Sequence, residues 1–138
     1  MCIRDRVNNT YKNPETELKV NQLVGETYSI LERIKMKGNG SPKLEIIKAS
    51  IHIYNILQLD NHRNTCNIEL RPKGIIISFQ KRLETYQLII PYFKLVVFKA
   101  DADTYTFYKD QYYIKVLITN PKSESFIQRV IEEKTKLS

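Results

Sequence analysis

The sequence predicts an α+β fold: an antiparallel β meander forming a partly open barrel or strongly curled sheet, with one N-terminal helix and one C-terminal capping helix. Three observations predict it. Between Cys66 and Ile118, short runs of alternating apolar residues are separated by tight-turn residues. Apolar residues recur at helical spacing from Leu18 to Met36, and again at Phe126, Ile127, Val130 and Ile131. With 138 residues the chain has the length of one domain. Folding at this size buries roughly two thirds of the unfolded surface, so a core forms without covalent staples.

Residues 1–14 read as a polar tail and 15–138 as a single domain. Val20, Leu23, Val24, Leu31 and Ile34 predict the N-terminal helix, with Glu15 and Glu17 near its start and Arg33, Lys35 and Lys37 near its end, as the helix dipole favours. Gly38-Asn39-Gly40-Ser41-Pro42 stops it. Gly25, inside it, costs about 1 kcal/mol relative to alanine. Residues 43–59 read two ways. Ser41-Pro42 is a helix-start signal, whereas the β-branched and aromatic run Ile51–Ile56 favours a strand.

From Cys66 onward, five or six short strands are expected. Arg71-Pro72-Lys73-Gly74 and Gln80-Lys81-Arg82-Leu83 are turns, with Ile75, Ile77 and Phe79 on one strand face between them. Pro91 marks a break or an edge, after which Phe93–Lys99 resumes. Ala100–Asp103 turns, Thr104–Lys109 and Tyr112–Ile118 are strands, and Asp110-Gln111 joins them. Asn120 or Ser123 caps the last helix, near Pro121, with Glu132, Glu133, Lys134 and Lys136 facing water.

The net charge of +7 invites a polyanion reading, but the excess is diffuse. Residues 1–70 hold 10 basic and 8 acidic side chains, and residues 71–138 hold 12 and 7. Nucleic acid is accordingly the weakest partner class. No apolar run approaches the roughly 18–20 residues of a membrane-spanning helix. Met1-Cys2-Ile3-Arg4-Asp5-Arg6 resembles a translated sequencing adapter, which implies a microbial metagenomic source and six residues without structure. Cys66 then stands alone, and a reducing, cytoplasmic compartment is expected.

A strand meander followed by one amphipathic helix resembles the pleckstrin-homology-like barrel. Leu88-Ile89-Ile90-Pro91-Tyr92-Phe93-Lys94-Leu95 is similar to the middle of bacterial domains of that type. The resemblance covers about residues 66–135 and implies a barrel plugged at one end by its terminal helix.

No catalytic residue, cofactor site or metal site is expected. His52, in an apolar stretch, and His62, beside Asp60, lack further ligands at suitable spacing. Asp101, Asp103 and Asp110 read as turn residues, and Cys66 as a small apolar side chain. The notable surplus is tyrosine. Tyr105, Tyr108 and Tyr113, with Lys109 and Lys115, form a candidate contact surface for a protein partner, with a sheet edge as the alternative surface. Arg71, Lys73, Lys81 and Arg82 are candidate basic loops for anionic membrane headgroups, but the strand between the pairs spans roughly 16 Å at about 3.3 Å per residue, so a headgroup site needs Lys43, Lys94 or Lys99 as well. The expected function is a non-enzymatic interaction domain for a protein partner, with peripheral membrane binding as the alternative.

Overall fold

The computed structural model describes residues 21–35, 38–61 and 63–137. The expected tail over 1–14, His62 and both ends of the N-terminal helix lie outside them. In chain order the elements are α1 (Ile30–Lys35), β1 (Leu44–Ala49), α2 (Ile51–Leu57), β2 (Thr65–Arg71), β3 (Gly74–Lys81), β4 (Glu84–Pro91), β5 (Val96–Asp101), β6 (Thr104–Lys109), β7 (Tyr112–Leu117) and α3 (Pro121–Leu137). The fold is α+β, with one seven-stranded antiparallel sheet in the order β4-β3-β2-β1-β7-β6-β5.

Strand β1 joins two half-sheets. Its start pairs with β2 through only Leu44↔Cys66 and Glu45↔Thr65, and its remainder pairs with β7 past a bulge between Ile46 and Lys48. A bulge bends a strand and increases its twist, so the sheet curls around its inner face. It does not close: β4 and β5 are its two edges. The inner face is the core, with Ile68, Leu70, Ile75, Ile77, Leu88, Ile90, Phe107, Ile114 and Val116 all buried. Phe126, Ile127 and Val130 of α3 join it, and Ile131 packs at its margin. Asn120 caps α3, its Oδ1 accepting from the Ser123 N–H at 2.9 Å. Glu132 and Lys136 face water, whereas Glu133 and Lys134 are half-buried.

The N-terminal region departs from the expected single helix. Residues 21–24 are helical, residues 25–29 are not, and α1 starts at Ile30. Gly25, at φ +86°, ends the first stretch in a left-handed conformation that suits glycine. Ser29 then opens α1 with a reciprocal pair of bonds: its N–H donates to Glu32 Oε1, and the Glu32 N–H donates to Ser29 Oγ. This is a capping box. The break lets Val24 cover Ile76 and Ile89 on the outer face of the sheet.

Residues 43–59 contain both alternatives. Leu44–Ala49 is a strand, but Ile51–Leu57 is a helix despite its β-branched content. Burial at helical spacing decides it: Ile53 and Leu57, four residues apart, both enter the core. His52 is therefore an exposed helical residue, its ring 5.6 Å from that of Tyr112. The turns at 72–73, 82–83 and 110–111 fall where expected, and the last loop of β5 narrows to 102–103. Strand β5 starts at Val96 rather than Phe93, because Leu95 N–H donates to the Pro91 carbonyl and holds residues 92–94 in a turn.

Candidate functional site

Side-chain alternation on β5, β6 and β7 sorts the aromatic residues onto two faces. Positions 105, 107 and 109 of β6 face inward. Tyr105 is buried, and its hydroxyl donates to Glu124 Oε1 at 2.7 Å while accepting from Gln128 Nε2 at 3.1 Å. Burial raises the Tyr105 hydroxyl above its ordinary pKa, and the same hydrogen bond lowers the Glu124 carboxyl. Lys109 is also buried, its ammonium donating to the Ile89 carbonyl of β4 at 2.9 Å. Tyr105 and Lys109 are thus structural and leave the candidate contact surface.

Tyr108, Tyr113 and Lys115 stay on the outer face, half-buried. The register places Val96 opposite Tyr108 and Tyr108 opposite Tyr113, with the two tyrosine rings 5.7 Å apart. The next row carries Phe98, Thr106, Lys115 and, on β1, Lys48. Val96 and Phe98 are each 56% exposed, and Phe93 in the preceding turn is 82% exposed. An apolar ladder therefore runs out to β5, which among the described residues is an edge strand paired only with β6, with lysines on one flank. Val96 and Phe98 were legible by parity, since they share a face with Tyr108 once β5 is registered against β6.

The basic loops are divided as well. The Arg71 guanidinium is spent on Glu69, on Asn21 Oδ1 and on the Gly25 carbonyl, tying the N-terminal segment to β2. Lys81 is buried against Asp60 Oδ1 at 2.9 Å. Only Lys73 and Arg82 stay exposed. Arg82 donates from Nε to the Leu59 carbonyl at 2.6 Å and lines an open cleft shared with Lys43 and Arg63. Lys43 thus joins Arg82, whereas Lys94 pairs with Asp110 and Lys99 lies over the Tyr105 ring.

Burial pushes the Cys66 thiol up to about 12, so it is protonated at neutral pH. Among the described residues no group of three or more His, Cys, Asp or Glu side chains is placed to hold a metal ion. No helix among them is long and apolar enough to cross a membrane. No family model matches the chain, and no curated protein or solved structure matches it either.

Proposed function

We propose that this chain is a non-enzymatic interaction domain that takes an extended segment of a protein partner along the free edge of β5. The observation that carries this reading is the Val96–Tyr108–Tyr113 ladder, continued by Phe98 and Phe93 and ending at an open strand. Edge strands are usually defended by lysine, proline or a bulge. Along Val96–Phe98 none of these interrupts the run, and the β5 bulge falls later, between Lys99 and Asp101. A strand added there would gain main-chain hydrogen bonds, and its alternate side chains would lie on the aromatic ladder. The protonated, buried Cys66 and the exposed His52 on α2 also support a binding role over nucleophilic catalysis. The pleckstrin-homology-like layout is part of the same proposal, supported by the strand order and by α3 lying against the inner face.

Selection from a random-peptide display library against the whole chain tests it. Binders should be extended and apolar at alternate positions, and should protect β5 amides from hydrogen exchange. Phe98→Lys should weaken them about tenfold or more, with little change in thermal stability because the side chain is largely exposed. Peptides that bind without protecting β5, or that tolerate Phe98→Lys, would sink this reading.

A further inference from the structure

We propose that β5 pairs with β5 of a second copy of this chain, antiparallel about a two-fold axis at Val97, so that the two sheets join into one. This rests on the reading of β5 as a strand-accepting edge and names the strand it accepts. Among the described residues β5 pairs with β6 alone, and its other side is an edge of the sheet.

The strand is its own complement. In an antiparallel pair, directly opposite residues point to the same face of the sheet. A two-fold axis normal to the sheet keeps each face on its own side, so residues of like parity must meet. A centre on Val97 sets Val96 opposite Phe98 of the second copy, and Phe98 opposite its Val96. Both are outer-face residues, each 56% exposed, and each continues a row across β6 and β7. One joined row then reads Tyr113, Tyr108 and Val96, followed by Phe98 and Thr106 of the second copy. The two apolar side chains that each copy leaves in water thus cover one another. Val97, half-buried against the core, meets its own counterpart on the inner face.

Charge selects the same arrangement. Lys94 precedes the strand with its side chain 43% exposed, while Asp101 and Asp103 at the far end are exposed. Antiparallel pairing about Val97 brings Lys94 of each copy within one residue of Asp101 of the other. Parallel pairing would set like charge against like, which is unfavourable. Lys94 also leans on Asp110 at 3.6 Å, an exposed contact of the weak, screened kind that leaves the ammonium mobile. A foreign peptide would have to be apolar at alternate positions, acidic at one end and basic at the other; β5 meets that description itself.

The net charge of +7 does not oppose the pairing. Lys115 on β7 lies two strands from the join. Five strand spacings of about 4.8 Å put the two copies of Lys115 roughly 24 Å apart, well beyond the screening length of about 8 Å at physiological salt. Lys99 stands opposite Leu95, four residues or about 13 Å along the strand from its twin. A single strand pair is at the small end of protein interfaces, so dissociation is expected at on the order of 10–100 μM.

Sedimentation velocity from about 1 μM to about 1 mM tests the pairing, with hydrogen exchange followed over the same range. The chain should pass from monomer to dimer, and β5 amides should gain protection as it does. Peptides that occupy β5 should dissociate the dimer. Lys94→Asp and Asp101→Lys, both at exposed side chains, should each weaken dimerisation about tenfold without lowering the melting temperature. Mixed in equal amounts, the two variants should regain it, because both end contacts of the mixed pair are again of opposite sign. A chain that stays monomeric at about 1 mM, yet takes display-selected peptides along β5, overturns self-pairing and leaves the edge reading standing. A monomer that takes no peptide either sinks both. Self-pairing also falls if a dimer forms with β5 unprotected, or if the mixed charge variants associate no better than each alone.

Discussion

Replacing Val130 by aspartate tests whether α3 is the structural lid of the sheet. Phe126, Ile127 and Val130 are at most 1% exposed, and all three belong to the main core. Burying each is worth roughly 1.5–3 kcal/mol, about 5–9 for the three before entropy. The net stability of a domain is about 5–15 kcal/mol, so α3 supplies a contribution of the same size. Val130→Asp removes the valine transfer term and places a carboxylate in the apolar core, at a cost of several kcal/mol. The variant should be unfolded or aggregating. Val130→Ala keeps the reasoning measurable, since losing two buried methyl groups should cost about 1–3 kcal/mol. With a urea slope of about 1–3 kcal/mol per molar, that lowers the midpoint by roughly 1 M. Glu132→Lys, on the wet face, should leave the midpoint where it is. Glu133 makes a poorer control, because its carboxylate pairs with Lys136 and stands beside the Tyr28 hydroxyl, whose pKa is raised by burial first and by Glu133 next. Circular dichroism across a urea series reads all three variants. A Val130→Asp chain that melts like the parent would refute the lid, and so would a Val130→Ala midpoint within error of the parent.

Two further outcomes follow from close contacts. Gly74→Ala should destabilise by about 1–3 kcal/mol, because an added Cβ would lie 2.4 Å from the Ile90 carbonyl oxygen and 2.5 Å from a Val24 methyl; a melting temperature unchanged in a thermal scan would mean that Val24 does not seal Ile76 and Ile89. Cys66 sets an alkaline limit. Its folded pKa is raised from 9.0 to about 12, so its contribution is whole below pH 9 and is lost as pH rises towards 12, about 4 kcal/mol across that window. Urea midpoints of Cys66→Ala should therefore fall less steeply above pH 9 than those of the parent; equal slopes would place the titration elsewhere.

The meander was legible because turn chemistry is local. Proline, glycine and polar pairs mark its turns, and Thr104–Lys109 emerged with its expected bounds. Strand parity also marks two lysines as inward-facing. Lys81 shares its face with Ile75, Ile77 and Phe79, and Lys109 shares its face with Tyr105 and Phe107, so both were readable as inward. What hid them is that a lysine is rarely buried without a partner, and the partners, Asp60 and the Ile89 carbonyl, come from distant segments. The α2 helix was illegible for the opposite reason. Ile51–Ile56 has strand composition, and only the core position of Ile53 and Leu57 overrides it. The break at Gly25 had a local signal, the Ser29-x-x-Glu32 capping box, lying inside what hydrophobic spacing presents as one helix. Where Arg63 would lie was beyond sequence reasoning, because the cleft it shares with Arg82 exists only once α2 turns the chain back towards the β3–β4 hairpin.

The two edges of the sheet are unequal, and the inequality bears on where a partner strand would add. On β4, the Ile89 carbonyl is taken by the Lys109 ammonium from across the open seam, and Pro91 ends the strand without an N–H to offer. A strand arriving there would have to displace a buried cation from its acceptor and leave that cation unpaired, which is costly. On β5, Lys99 leans over the Tyr105 ring, and Val96, Val97 and Phe98 carry no cation or proline of their own. The energetic obstacle to pairing thus lies on β4 and the apolar reward on β5. Lys109, first a candidate for the contact surface, favours the proposed edge indirectly, by occupying the other one.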